Sequence, residues 1–103
     1  MNNLNSEPVL LAGNDGSIII GLVGNDLIKL AEEEFLIHIQ TRRLIGKIRE
    51  QTIFNFDLKN NPSLEDMVEY AISADDEPMI SIWGASDDGM IPMNNLIFNF
   101  NRE

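Results

Sequence analysis

The chain contains no cysteine, which excludes both disulfide bonds and thiolate metal sites. It has a single histidine, His38, so no site that needs two imidazoles can form within one chain. No apolar run approaches the roughly 18 residues of a membrane-spanning helix. The N-terminal residues have neither a basic segment nor a long apolar segment, which is unlike a signal peptide. We therefore expect a soluble protein of the reducing cytoplasm.

Positive charge is also scarce. The formal net charge is -10, from 17 acidic and 7 basic residues, and residues 60–101 contain no lysine or arginine. A field of this sign repels nucleic acid and anionic lipid and attracts basic proteins. We therefore expect a basic protein partner, and no binding to nucleic acid or membranes. The simpler interpretation of the same composition is an acidic surface that only confers solubility.

The length and composition indicate one globular domain over residues 1–103, with residues 1–7 as a flexible tail. The 103 residues, 44% of them hydrophobic, can close one core. Alternating apolar residues and turn signals predict strands at Pro8–Ala12, Ser17–Val23, Phe35–Gln40, Leu44–Glu50, Glu50–Leu58, Pro78–Trp83 and Leu96–Asn101. A further strand fits Leu27–Ala31, although a helix over Asn25–Phe35 fits the same residues.

One amphipathic helix is predicted from Ser63, as its capping residue, to Ala74, with an apolar stripe formed by Leu64, Met67, Val68, Ala71 and Ile72. The predicted fold is α+β, a mostly antiparallel twisted β-sheet, or meander, against which this helix packs. The strand order stays open. The sequence of Ile53–Phe56 recurs at Ile97–Phe100, which we interpret as two central strands in similar environments.

The acidic clusters lack the pattern of a catalytic or metal site. A calcium loop spaces its oxygen ligands at alternate positions over about twelve residues, and Asp87-Asp88-Gly89 lacks that spacing. Carboxylates that catalyse hydrolysis need burial to raise one pKa, whereas these lie in turn-like sequence. His38 has no second imidazole or sulfur ligand beside it, so we interpret it as structural. We therefore expect no enzymatic activity, no cofactor and no metal.

The only tryptophan, Trp83, lies between two acidic clusters. A rim of charge around an aromatic anchor is typical of protein interfaces, in which tryptophan is a frequent hot-spot residue. The alternative is that Trp83 packs in the core and the acids solvate loops. The residues predicted to bind a partner are Asp66, Glu69, Asp75, Asp76, Glu77, Trp83, Asp87 and Asp88.

In Asp75–Glu77, Trp83–Asp88 and its uneven charge, the chain resembles the immunity proteins of bacterial contact-dependent growth-inhibition and polymorphic toxin systems. The resemblance implies a stoichiometric inhibitor of one cognate basic toxin, often a nuclease, which it neutralises by blocking the active site or by binding elsewhere. Two alternatives stay open. One is a sheet-based single-stranded nucleic-acid-binding domain that uses the basic cluster formed by Arg42, Arg43, Lys47 and Arg49. The other is an acidic structural or homodimeric subunit.

Overall fold

The computed structural model describes residues 8–23, 29–30, 32–73, 78–86, 89–93 and 95–100. Within these ranges it contains eight strands and an 11-residue helix. In chain order the elements are β1 (Val9–Ala12), β2 (Ile18–Val23), β3 (Phe35–Gln40), β4 (Arg43–Ile48), β5 (Gln51–Asp57), α1 (Pro62–Ile72), β6 (Ile80–Ser86), β7 (Gly89–Pro92) and β8 (Leu96–Asn99). The α+β prediction, mostly strand with one packed helix, is confirmed.

The strands form two four-stranded sheets rather than one continuous sheet. Sheet A has the order β1-β2-β6-β7, and sheet B has the order β5-β4-β3-β8. Each sheet contains one parallel pair, β2–β6 in sheet A and β3–β8 in sheet B. The other neighbouring strands are antiparallel. The predicted meander is therefore confined to β3-β4-β5, because the chain passes through α1 into sheet A and returns to sheet B as β8.

The inner faces of the two sheets bury one continuous core, because alternate residues of their strands are apolar. Sheet A contributes three residues of β2 and two of β6, and sheet B contributes residues of β3, β4 and β5. Burying one such side chain stabilises the fold by roughly 1.5–3 kcal/mol. The buried strand residues are Ile18, Ile20, Leu22, Ile80, Ile82, Phe35, Ile37, Ile39, Leu44, Ile48 and Phe54.

Helix α1 also packs on this core, through Val68 and Ala71, which confirms the predicted apolar stripe. The helix begins at Pro62, with Asn61 as its N-cap, so the prediction that Ser63 caps it is wrong. A proline suits the first helical position because its φ is already helical and the missing N–H would have no partner there. No side chain makes the capping hydrogen bond.

Two further expectations differ from the structure. Lys29 is helical and Leu30 lies in a turn, so neither belongs to a strand, while the remainder of Leu27–Ala31 lies outside the described residues. Strand β7 (Gly89–Pro92) was not predicted, because glycine and proline at its ends are poor strand formers. Pro92 is compatible with this position because β7 is an edge strand of sheet A.

The repeated tetrapeptide lies at the two edges of sheet B, in β5 and at β8. The interpretation that the two copies form central strands is therefore wrong, although their environments are alike. In both copies the two phenylalanines contact each other, with ring centroids 5.2 Å apart for Phe54–Phe56 and 5.7 Å apart for Phe98–Phe100. All four rings pack in or against the core, so each copy closes one side of it.

Candidate functional site

The predicted partner-binding residues are only partly described by the structure. Five of them lie outside the described residues: Asp75, Asp76, Glu77, Asp87 and Asp88. The acidic rim around Trp83 therefore stays a prediction.

The other three predicted residues lie on two elements. Asp66 is exposed and Glu69 is half-buried, three residues apart on α1. Trp83 lies on β6 between Ile82 and Gly84, which are buried on the inner face. Because successive strand residues point to opposite faces, Trp83 is on the outer face of sheet A, half-buried and outside the core. The alternative that Trp83 packs in the core is thus wrong, and the structure does not place it on the element that carries Asp66 and Glu69.

The outer face of sheet A is apolar, and none of its described residues is charged. One row of paired residues crosses all four strands, from Val9 through Gly21 and Trp83 to Pro92. The rows on either side have the same character. We call this surface the apolar face and define it as Val9, Leu11, Ile19, Gly21, Val23, Ser81, Trp83, Ala85, Met90 and Pro92.

Four side chains of the apolar face are strongly exposed. The exposed fractions are 50% for Val9, 54% for Leu11, 45% for Val23 and 55% for Met90. Large apolar residues that are exposed singly are normal on proteins, whereas contiguous apolar patches mark interaction sites. The strand register places these four residues on the same face of sheet A as Trp83.

Gly21 leaves a notch in the middle of the apolar face. A Cβ atom built on Gly21 would have no neighbour nearer than Val9, whose Cβ and carbonyl oxygen would both be 3.9 Å away. The flanking residues in the same row are Val9 on β1 and Trp83 on β6. Between these two side chains there is room for an additional apolar group.

Sequence reasoning missed this face apart from Trp83. The available signal was that β2 and β6 are apolar at nearly every position, not at alternate positions. Strands buried on both sides have continuous apolar runs, whereas half-buried strands alternate. The run Ile18–Val23 could therefore have indicated a second apolar face.

The basic cluster is largely engaged in ion pairs. Arg42 donates from Nε to Oε2 of Glu65 at 2.8 Å and makes a second bond from Nη2 to Oε1, and this pairing raises the Arg42 pKa. Arg49 binds Glu33 in the same two-bonded manner, with Nη2 2.7 Å from Oε2. Arg49 thus pairs within the run Glu32–Glu34, whereas Arg42 pairs with a residue of α1.

Arg43 lies near Asp57, with 3.9 Å between Nη2 and Oδ2. Asp57 also accepts hydrogen bonds from the Asn60 side chain at 2.7 Å and the Lys59 amide at 3.0 Å. The Asn60 bonds, with smaller contributions from Arg43 and Lys59, lower the Asp57 pKa. This carboxylate therefore stabilises the turn between β5 and α1 and is not available as a proton donor.

His38 lies on the outer side of sheet B, opposite Ile45 of β4. Burial, and secondarily the charge of Lys47, lowers its pKa. In the described part of the chain no group of three or more histidines and carboxylates could hold a metal ion. This arrangement fits a neutral, structural histidine.

An open groove of about 420 Å³ lies where the chain enters β3, and Glu32, Glu33, Glu34, Leu36, Arg49 and Ile97 line it. Glu32 and Glu34 are exposed, and Glu33 is paired with Arg49. The groove is therefore lined by solvent-exposed carboxylates and one ion pair.

Within the ranges that the structure covers, no helix has the length and hydropathy needed to span a bilayer. Comparison of the chain with protein-family models, with curated proteins and with solved structures found no match.

Proposed function

We propose that the protein is an acidic protein-binding module whose partner is a basic protein. The observation that carries the proposal is that charge differs between the segments that form the two sheets. Residues 1–28 and 73–95, which contain all four strands of sheet A, carry eight acidic residues and no basic residue. Residues 29–59, which contain β3, β4 and β5, carry six basic and five acidic residues.

The segments that contain the strands of sheet A are thus strongly acidic, whereas the segment that contains β3, β4 and β5 is nearly neutral. A field concentrated on one part of a protein steers a partner of opposite sign and orients it on approach. A nuclease must be cationic where it holds phosphate, so it presents the complementary charge. Together with the resemblance to immunity proteins, this supports inhibition of a nuclease toxin in the cytoplasm, without catalysis by this chain.

The two alternatives have less support. Nucleic-acid binding would need free cations beside exposed aromatic rings. Three arginines of the basic cluster are instead near carboxylates, with closest approaches of 3.9 Å or less, and the four phenylalanines of β5 and β8 pack on the core. A homodimer would join two chains that each carry a net charge of -10.

A growth-protection experiment tests the proposal. The probe is the C-terminal domain of the protein encoded immediately upstream, produced in a bacterial host with and without this chain. We expect the domain to be basic and toxic, and coexpression to restore growth. With an inactivated form of the domain, association should be at least about tenfold slower at 300 mM than at 50 mM salt.

Charge reversal provides the matched variants. Asp75→Lys with Asp76→Lys should slow association, whereas Glu32→Lys with Glu34→Lys, the same charge change in the other part of the chain, should affect it much less. An upstream protein without a basic domain would contradict the proposal, as would a toxic domain against which this chain gives no protection.

A further inference from the structure

We propose that the apolar face of sheet A is the docking surface, and that a basic partner inserts an apolar side chain above Gly21, beside Trp83. This inference rests on the proposed function and specifies its surface and the chemistry of the partner. Charge brings the partner to the protein, whereas the apolar face provides the contact that holds it.

The first support is the pattern of the two central strands. β2 and β6 are neighbouring strands, and strands that are covered on both faces have near-continuous apolar sequences. The inner face of this pair is covered by the core. The outer face has the same apolar composition, but Val23 remains 45% exposed. The sequence of these strands is thus suited to a cover that this chain does not supply among its described residues.

The second support is the shape at the centre of that face. All the remaining positions of the central row have a side chain, and Gly21 lies between the β-branched Val9 and the large ring system of Trp83. Hot spots of protein interfaces are apolar pockets of this kind, surrounded by residues that exclude water. The notch fits one aliphatic or aromatic side chain.

The size of the face indicates what else the partner must contact. From the standard strand spacing and rise, it measures about 14 Å across the strands and about 13 Å along them. That is on the order of 200 Å² of sheet, whereas a stable interface buries roughly 800 Å² on each partner. A partner must therefore also cover the surroundings, and residues 1–28 and 73–95, which contain these strands, carry eight acidic residues and no basic residue. The partner needs lysines or arginines around its apolar group.

The same charge argues against a second copy as the occupant. Two copies that pack through this face each carry a net charge of -10, and residues 1–28 and 73–95 hold no basic residue that could pair across the contact. Like charges across an interface cost several kcal/mol. Self-association through the apolar face is thus disfavoured, while a cationic partner is favoured.

Two substitutions test the surface without adding charge. Gly21→Val fills the notch with a residue that suits a strand, and the open space there allows it. Leu11→Thr keeps a strand former but removes apolar surface at a residue that is 54% exposed. The matched control is Ile97→Thr, at a residue of sheet B that is 42% exposed and lies outside the apolar face.

Binding of the inactivated upstream domain is measured for each purified variant, together with its thermal unfolding and its sedimentation. We expect Gly21→Val and Leu11→Thr each to weaken binding at least about tenfold with intact folding, and Ile97→Thr to bind like the unaltered protein. This weakening of binding should persist at 300 mM salt, since salt does not screen apolar contacts.

Three results would overturn the inference. If the unaltered protein binds but both face variants bind equally well, the docking surface lies elsewhere and the proposed function stands. If the unaltered protein sediments as a dimer that Leu11→Thr dissociates, the occupant is a second copy. If the unaltered protein does not bind the domain at all, the proposed function fails, and this inference fails with it.

Discussion

His38 carries, among the described residues, a buried side-chain nitrogen without a hydrogen-bond partner, its Nε2 atom. A buried polar atom without a partner costs roughly 1–3 kcal/mol. Burial lowers the His38 pKa, and the nearby charge of Lys47 lowers it further. The neutral imidazole is therefore the form that the folded chain favours.

The substitution His38→Leu should remove this cost. We expect the free energy of unfolding at pH 8 to stay equal or to rise by up to about 1 kcal/mol. The unfolded chain binds a proton near pH 6.5 and the folded chain only at lower pH. The part of the stability that depends on a neutral His38 is therefore complete above pH 6.5, and it is lost as the pH falls through the pKa of His38 in the folded chain. Between pH 8 and pH 5.5, the free energy of unfolding measured by urea denaturation should fall less for the variant than for the unaltered protein. An equal fall would contradict this account.

Two glycines in central strands differ in the space around them. A Cβ atom on Gly46 would collide with the Phe54 ring and lie 2.8 Å from Cε1 of Phe35, whereas Gly21 has open space. We expect Gly46→Ala to destabilise the fold by about 1–3 kcal/mol through overpacking. Gly21→Ala, the control, should be neutral or stabilise by up to about 1 kcal/mol, because alanine costs less conformational entropy. Equal effects in urea denaturation would show that Phe54 moves aside freely.

At the scale of elements, the hairpin between β3 and β4 has an unusual turn sequence. Gln40 pairs with Arg43, so Thr41 and Arg42 alone form the turn. Both have positive φ, 55° and 58°, as a two-residue hairpin of this type requires, and asparagine and glycine are the usual residues there. A β-branched threonine is strained in this conformation. Arg42 also binds Glu65 of α1, which accounts for an arginine at the second position.

Replacing Thr41 by asparagine should therefore stabilise the protein. We expect Thr41→Asn to raise the free energy of unfolding by about 0.5–1 kcal/mol, since asparagine adopts the left-handed conformation more readily. Thr52→Asn is the control, because Thr52 is exposed on β5 without a positive φ, and asparagine is a poor strand former there. Thermal unfolding at one pH should show a raised melting temperature for Thr41→Asn and no increase for Thr52→Asn. A stabilised Thr52→Asn would indicate a cause other than turn strain.

The sequence predicts best those elements whose residues alternate between buried and exposed positions. β3 and β4 alternate between buried and outward residues, so their period identifies both the strand and its inner face. Helix α1 was predicted from its stripe, but not its start, since Pro62 and Ser63 both fit the first turn. The division into two sheets was not predictable, because the pairing of β2 with β6 joins residues about 60 apart and leaves no local pattern.

At the scale of the whole molecule, the candidate site shows the same limit. Trp83 was identified from its neighbours in sequence, but Val9, Leu11 and Met90 join it only through strand register. The sequence showed that its two halves differ in charge. The topology adds to that difference, since β1 and β2 of the N-terminal segment share sheet A with β6 and β7. The two segments without a basic residue, 1–28 and 73–95, therefore supply all the strands of one sheet.

A net charge of -10 on 103 residues also predicts how salt affects stability. Repulsion among the acids destabilises the compact state, and salt screens it, because the Debye length falls from about 10 Å at 0.1 M to about 3 Å at 1 M. Salt also weakens the exposed pairs of Arg42 and Arg49, but exposed ion pairs contribute little to stability. We expect potassium chloride between 0.02 and 0.5 M to raise the melting temperature.

Glu32→Gln with Glu34→Gln supplies the matched comparison, because both carboxylates are exposed and neither is the Glu33 that binds Arg49. With less repulsion to screen, this variant should melt higher than the unaltered protein at 0.02 M salt and gain less from added salt. A melting temperature that falls as salt is added would show that ion pairs outweigh repulsion. In that case the acidic residues of segments 1–28 and 73–95 would contribute little net repulsion, and the argument for a basic partner would lose its electrostatic basis.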